Sequence, residues 1–152
     1  MKNIITFTLL ILIIFTSNSF SKIEVKKVKK HNIELIKFQS PDNKFPGKDD
    51  IVAQIHFPKS FSGKLPVIIH QHGSSRDGSK FKKWGGKTDE WGKRISKEGV
   101  KRGYAVVLID AFYKRGITPK NKTKFPNAVY IAINLKNILQ KDGRFNKNKF
   151  YF

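Results

Sequence analysis

Two short stretches of this 152-residue chain gather residue types that chemistry uses. The first is His70-Gln71-His72-Gly73-Ser74-Ser75-Arg76-Asp77-Gly78-Ser79, in which two histidines lead into a glycine and a run of small polar residues. The second is Asp110-Ala111-Phe112-Tyr113-Lys114-Arg115-Gly116. A histidine can serve as a general base, or it can bridge backbone groups at a strand end. Arg115 is the candidate substrate contact, because a guanidinium fork can hold a carboxylate through two parallel hydrogen bonds; its plainer role would be a surface or loop-bracing arginine. Neither a metal nor a cofactor is expected. The four histidines show no ligand spacing beyond His70-x-His72, and the chain has no cysteine.

What precedes these stretches explains why they matter. Val67-Ile68-Ile69 and Tyr104-Ala105-Val106-Val107-Leu108-Ile109 are apolar on both faces, as buried parallel strands are. Between them the spacing predicts a helix over about Thr88 to Lys101, with Thr88 as N-cap, Trp91 and Ile95 as an apolar stripe and Gly103 as the stop; Gly92 and Gly99 run against it. Strand, helix and strand imply a right-handed parallel crossover. Upstream, residues 33–38 and 51–57 read as strands joined by the turn-rich Ser40–Gly47, hence antiparallel. Downstream, Ala128, Ile131, Ala132, Leu135, Ile138 and Leu139 mark a helix, with Pro126 near its first turn and Lys141-Asp142-Gly143 at its close. Phe150-Tyr151-Phe152 would begin the next parallel strand. The class is therefore α/β, a mixed sheet with an antiparallel N-terminal strand pair and parallel strands flanked by helices. Ligands of such sheets bind outside the carboxyl ends of the parallel strands, where both stretches fall.

The first 21 residues read as an address rather than as fold. A short positive start, Met1-Lys2-Asn3, precedes an apolar run from Ile4 to Phe15 that is too short for a membrane span. Ser19 and Ser21 then offer the −3 and −1 positions for cleavage before Lys22. Export to the periplasm or the medium is expected, with residues 22–152 as one domain and no stable membrane span after cleavage. The charge of +20 barely depends on the leader, whose single Lys leaves +19 for the rest. Only five of the 31 basic residues are Arg and the Lys are dispersed, so specific nucleic-acid binding is not expected.

The order strand, His-Gly, polar loop, helix, strand ending in Asp, helix and strand resembles the first half of an α/β-hydrolase. More narrowly, His70-Gln71-His72-Gly73-Ser74, Trp91, the run from Gly103 to Phe112 and Arg115-Gly116 are similar to the dienelactone hydrolase family, over about Ile33 to Phe152. Members commonly carry Ser where Ala111 stands and an acidic residue near Asn127. The resemblance implies a partial α/β-hydrolase fold, with a Gly-x-Ser-x-Gly or Gly-x-Cys-x-Gly nucleophile turn beyond the last strand. It also implies that the N–H of Ser74 is one oxyanion-hole donor, with Gly73 giving the backbone room to turn. Because acid and histidine follow the nucleophile in this fold, His70 and His72 are not expected as bases, and Asp110 reads as a turn residue.

The expected function is thus the N-terminal part of an exported serine or cysteine hydrolase of small esters or lactones, without nucleophile, acid or base. The alternative is a small basic envelope protein that binds anionic polymers or lipid headgroups without catalysis. Salt separates the two, since charge-driven binding falls steeply with ionic strength.

Overall fold

The computed structural model describes residues 23–28, 32–73, 89–118, 120–121 and 124–152; the leader lies outside them. Six strands and two helices follow in the order β1 (Glu24–Val28), β2 (Ile33–Gln39), β3 (Asp50–His56), β4 (Leu65–Gln71), α1 (Glu90–Lys101), β5 (Ala105–Asp110), α2 (Ala128–Leu139) and β6 (Phe145–Tyr151). The sheet order is β1-β2-β3-β5-β4-β6. β1, β2, β3 and β5 pair antiparallel in succession, while β4 runs parallel to β5 on one side and to β6 on the other. The mixed sheet is the expected one, with β1 added to the antiparallel pair. Its Glu-Val-Lys-Lys-Val sequence is too polar to stand out as a strand.

All six residues of β5 are buried, as befits a central strand covered on both faces. Alternation along the strands assigns the faces. Val67, Ile69, Val107 and Ile109 share one cluster with Ile131, Leu135 and Leu139 of α2. Ile68 and Val106 lie on the other face, beneath Gly99 of α1.

The packing face of α1 differs from the expected Trp91–Ile95 stripe. Trp91 is 67% exposed, and the buried positions are Gly92, Ser96 and Gly99. Small residues let the helix lie close on the sheet: a Cβ at Gly99 would overlap Val106 Cγ2 and come within 3.5 Å of Ile68 Cδ1. The N-cap is Asp89, whose carboxylate accepts from Gly92 N at 2.6 Å. Thr88 lies outside the described residues.

The last strand also starts earlier than the apolar Phe150-Tyr151-Phe152 would indicate, at Phe145. Its middle, Asn146 to Lys149, is polar, with Lys147, Asn148 and Lys149 exposed. No helix among the described residues is long and apolar enough to cross a membrane.

Candidate active site at the ends of β4 and β5

The chain leaves the carboxyl end of β4 for α1 on one face and leaves the neighbouring β5 for α2 on the other. Two adjacent parallel strands whose connections part in this way leave a crevice between them, the usual place for a ligand in an open α/β sheet. Both chemically capable stretches flank it.

His72 joins them. Its side chain is 3% exposed, and its ring meets Phe112 edge-on at 4.4 Å. The backbone N–H of Ala111, in the turn after β5, donates to His72 Nε2 at 3.2 Å, so Nε2 carries no proton. The Gly73 carbonyl, which can only accept, lies 2.9 Å from Nδ1. Both contacts require the same neutral ring, protonated at Nδ1. Asp110 Oδ1 is 3.7 Å from Nε2, too far for a hydrogen bond to a nitrogen already accepting one, and instead it takes the Phe112 N–H at 3.1 Å. Asp110 is thereby a turn residue, and His72 is a bridge between two loops.

Gly73 is exposed, and its φ is not left-handed. A Cβ there would meet no described atom within 4 Å. Ser74 lies outside the described residues.

Arg115 is 3% exposed and turned inward. Its Nε donates to Lys48 O at 3.2 Å and Nη2 to Ser40 O at 3.3 Å, while Nη1 lies 3.5 Å from Asp42 Oδ2, and Phe45 stacks beneath the guanidinium at 5.0 Å. Burial holds its pKa below the usual arginine value, against the opposing pull of Asp42 and Asp49. All three nitrogens are engaged with the loop between β2 and β3. The turn they stabilise is tight: Lys114 has φ 54° and Gly116 φ 69°.

Asp42 escaped the sequence reading. Its carboxylate accepts from Lys44 N and from Asn127 N, each at 3.0 Å, besides facing Arg115, so it ties the β2–β3 loop to the start of α2. A partner 73 residues away in sequence leaves no local signal; only its place in a Pro-Asp-Asn turn marks it.

On the β6 side of β4, Ile69, Gln71, Ala132, Ile133 and Phe152 border a cavity of about 500 Å³ that His70 also lines. Among the described residues, the buried His70 Nε2 and Gln71 Oε1 find no hydrogen-bond partner. Asp89 Oδ1 stands 3.7 Å from that His70 nitrogen. Such buried polar atoms are uncommon, and they often mark a place where something binds. No group of three or more His, Cys, Asp or Glu that could hold a metal occurs among the described residues.

No family model and no curated protein matches the chain. Solved structures do. Acetyl xylan esterase 1 from Thermoanaerobacterium sp. JW/SL YS485 superposes with a TM-score of 0.51 at 18% identity, covering 86% of this chain and 43% of that one. An acetyl xylan esterase from Paenibacillus sp. R4 gives 0.51 at 15% identity, over 86% and 44% of the two chains. A glucuronoyl esterase from Solibacter usitatus gives 0.52 at 13%, with the same coverage. The chain spans less than half the length of the structures it matches. At these identities the likeness is one of fold: the mixed six-stranded sheet with flanking helices is part of the α/β-hydrolase fold of these esterases.

Proposed function

We propose that this chain is the N-terminal part of an exported serine or cysteine hydrolase acting on small esters or lactones, similar to the dienelactone hydrolases. The observation that carries the proposal is that the loop after the parallel β4 is fastened through His72 to the turn after its neighbour β5. In this reading the backbone N–H of Ser74 is one of the two donors that stabilise the oxyanion of a tetrahedral intermediate, and the open space over Gly73 admits the substrate carbonyl. Fixed donors of this kind act without reorganising at the moment of reaction. Residues 1–21 are a cleaved leader, and residues 22–152 belong to the hydrolase domain. Arg115 acts as a brace at this end of the sheet, buried and donating to Lys48 O and Ser40 O with Asp42 facing it.

Reading the encoding DNA past codon 152 tests the proposal. An in-frame Gly-x-Ser-x-Gly or Gly-x-Cys-x-Gly within roughly ten residues is expected, given usual strand lengths; a stop codon at natural full length would sink it. The 152-residue chain alone is expected to hydrolyse p-nitrophenyl acetate no faster than buffer, since one oxyanion donor without a nucleophile does not turn over an ester. N-terminal sequencing of the exported product checks the leader, with Lys22 as the expected first residue.

A further inference from the structure

We propose that β1 pairs with β1 of a second copy of this chain, antiparallel about a two-fold axis at Val25, so that one sheet runs through both molecules. Among the described residues β1 ends the sheet, and the strand registers show which of its backbone groups point outward. The Phe57 N–H donates to Asn32 O and the Ser40 N–H to Asp49 O, each at 2.8 Å, continuing the β2–β3 register at either end. The even-numbered residues of β2 therefore bond β3, and Ile33, Leu35 and Lys37 turn their backbone groups to β1. Their partners there are Val28, Lys26 and Glu24, which leaves Val25, between the last two, with its N–H and C=O directed away from the sheet. Such an edge is a template for another strand. Val25 is 54% exposed and lies beside the buried Ile36, so apolar surface continues past the edge.

Charge selects the register. An antiparallel pair brings only residues of like direction face to face, so the axis passes through a residue and not between two. An axis at Glu24, Lys26 or Lys27 would set that charge against its own copy. At Val25 it sets Glu24 opposite Lys26, twice, in the pairs that make no backbone hydrogen bond and whose side chains stand closest. The two Val25 residues then exchange N–H···O bonds. Glu24 faces Lys37 at 2.8 Å within its own sheet, so in the pair its carboxylate lies between two ammonium groups. An isologous contact of this form closes on itself and stops at the dimer. The net charge of +20 on each copy opposes the encounter at low salt, and physiological ionic strength screens it.

Sedimentation equilibrium on the full chain at physiological ionic strength reads the association. The apparent mass should rise with concentration from that of one chain, 17.5 kDa, toward twice it. Val25→Pro removes both N–H donors at the axis but none that β2 uses, so the dissociation constant should rise about tenfold or more while the urea midpoint holds. Glu24→Lys and Lys26→Glu each place like charges across the axis and should leave separate chains. Mixed in equal amounts, those two variants set Lys against Glu at every such pair and should recover the dimer. A mass of one chain at every concentration, a dimer indifferent to Val25→Pro, a homodimer of either charge variant as strong as the original, or two charge variants that stay apart when mixed would each overturn the proposal. Should Val25→Pro disturb β1 itself, the mixing result decides. None of these readouts depends on the hydrolase reading.

Discussion

The two ends of the sheet solve the same problem, an arginine among aromatic rings, in opposite ways. At the end where the parallel strands begin, Arg144 forms paired hydrogen bonds to both Glu34 oxygens at 2.8 Å and also bonds Asp142 at 2.7 Å, with Phe57 under the guanidinium at 4.8 Å. Those side-chain hydrogen bonds raise its pKa above the usual arginine value despite partial burial. At the end where the strands finish, Arg115 finds mostly backbone carbonyls and one carboxylate at 3.5 Å, and burial lowers its pKa. The first end is fully matched. Among the described residues, the second keeps buried polar atoms without a hydrogen bond at Ser40 Oγ, His70 Nε2 and Gln71 Oε1, together with a left-handed Lys114. Folding alone would favour satisfying those groups. Their persistence at one end, among the described residues, is what a binding mouth would show and a closed floor would not.

The comparison breaks most visibly at the floor. Arg144→Ala removes the paired hydrogen bonds to the Glu34 carboxylate, whose side chain is 8% exposed. Unpairing a fully buried ion pair costs about 3–5 kcal/mol, and the 39% exposure of the Arg144 side chain reduces this to about 2–3 kcal/mol. The urea midpoint should fall accordingly, with Arg144→Lys recovering only part because a single ammonium cannot make the paired bonds. Next in size is the wall: Gly99→Ala gains about 1 kcal/mol of helix propensity but forces its methyl onto Val106, an overpacking cost of about 1–3 kcal/mol. A net loss of about 1 kcal/mol is expected; a gain would mean that α1 can lift from the sheet freely.

Acid sharpens the contrast further. Burial alone would raise the Asp142 pKa, but the side-chain and backbone hydrogen bonds and the charge of Arg144 outweigh it and hold the value below the ordinary 3.8. A carboxyl whose folded pKa is depressed stabilises the fold above its unfolded pKa, and that stability is lost as pH falls through the folded value. Denaturant midpoints should therefore lose this contribution only below about pH 4, and Asp142→Asn should flatten that limb while leaving the shape at neutral pH unchanged.

Which of these features were legible in the sequence follows a physical rule. The apolar doublet of β4 and β5, the β2–β3 pair and α2 were visible because their buried faces impose a period on side-chain type. The face of α1 was not, since its close approach uses Gly92, Ser96 and Gly99, and the absence of side chains carries no hydrophobic signal. β1 and the middle of β6 were hidden because they hold their places through backbone pairing rather than through a buried apolar face. At the candidate site, His72 and Gly73 stood out through their position after a strand, whereas Asp42 depends on contacts with Arg115 and Asn127 across 73 and 85 residues. The inward turn of Arg115 belongs to that same distant loop, so residue type alone suggested a clamp where the contacts describe a brace.

The smallest expected effect bears hardest on the mouth. Gly73 has an ordinary φ and open space where a Cβ would stand, so nothing in the described fold requires glycine there. Gly73→Ala should leave the urea midpoint unchanged or raise it, because alanine restricts the unfolded chain by about 0.4–1 kcal/mol when its native conformation is unstrained. A fall of more than about 1 kcal/mol would class Gly73 with Gly99 as a packing residue, and the mouth would then be as fully committed to stability as the floor. An unchanged midpoint leaves the glycine answerable to whatever approaches the loop from outside, a methyl group being enough to crowd a carbonyl oxygen seated over that peptide.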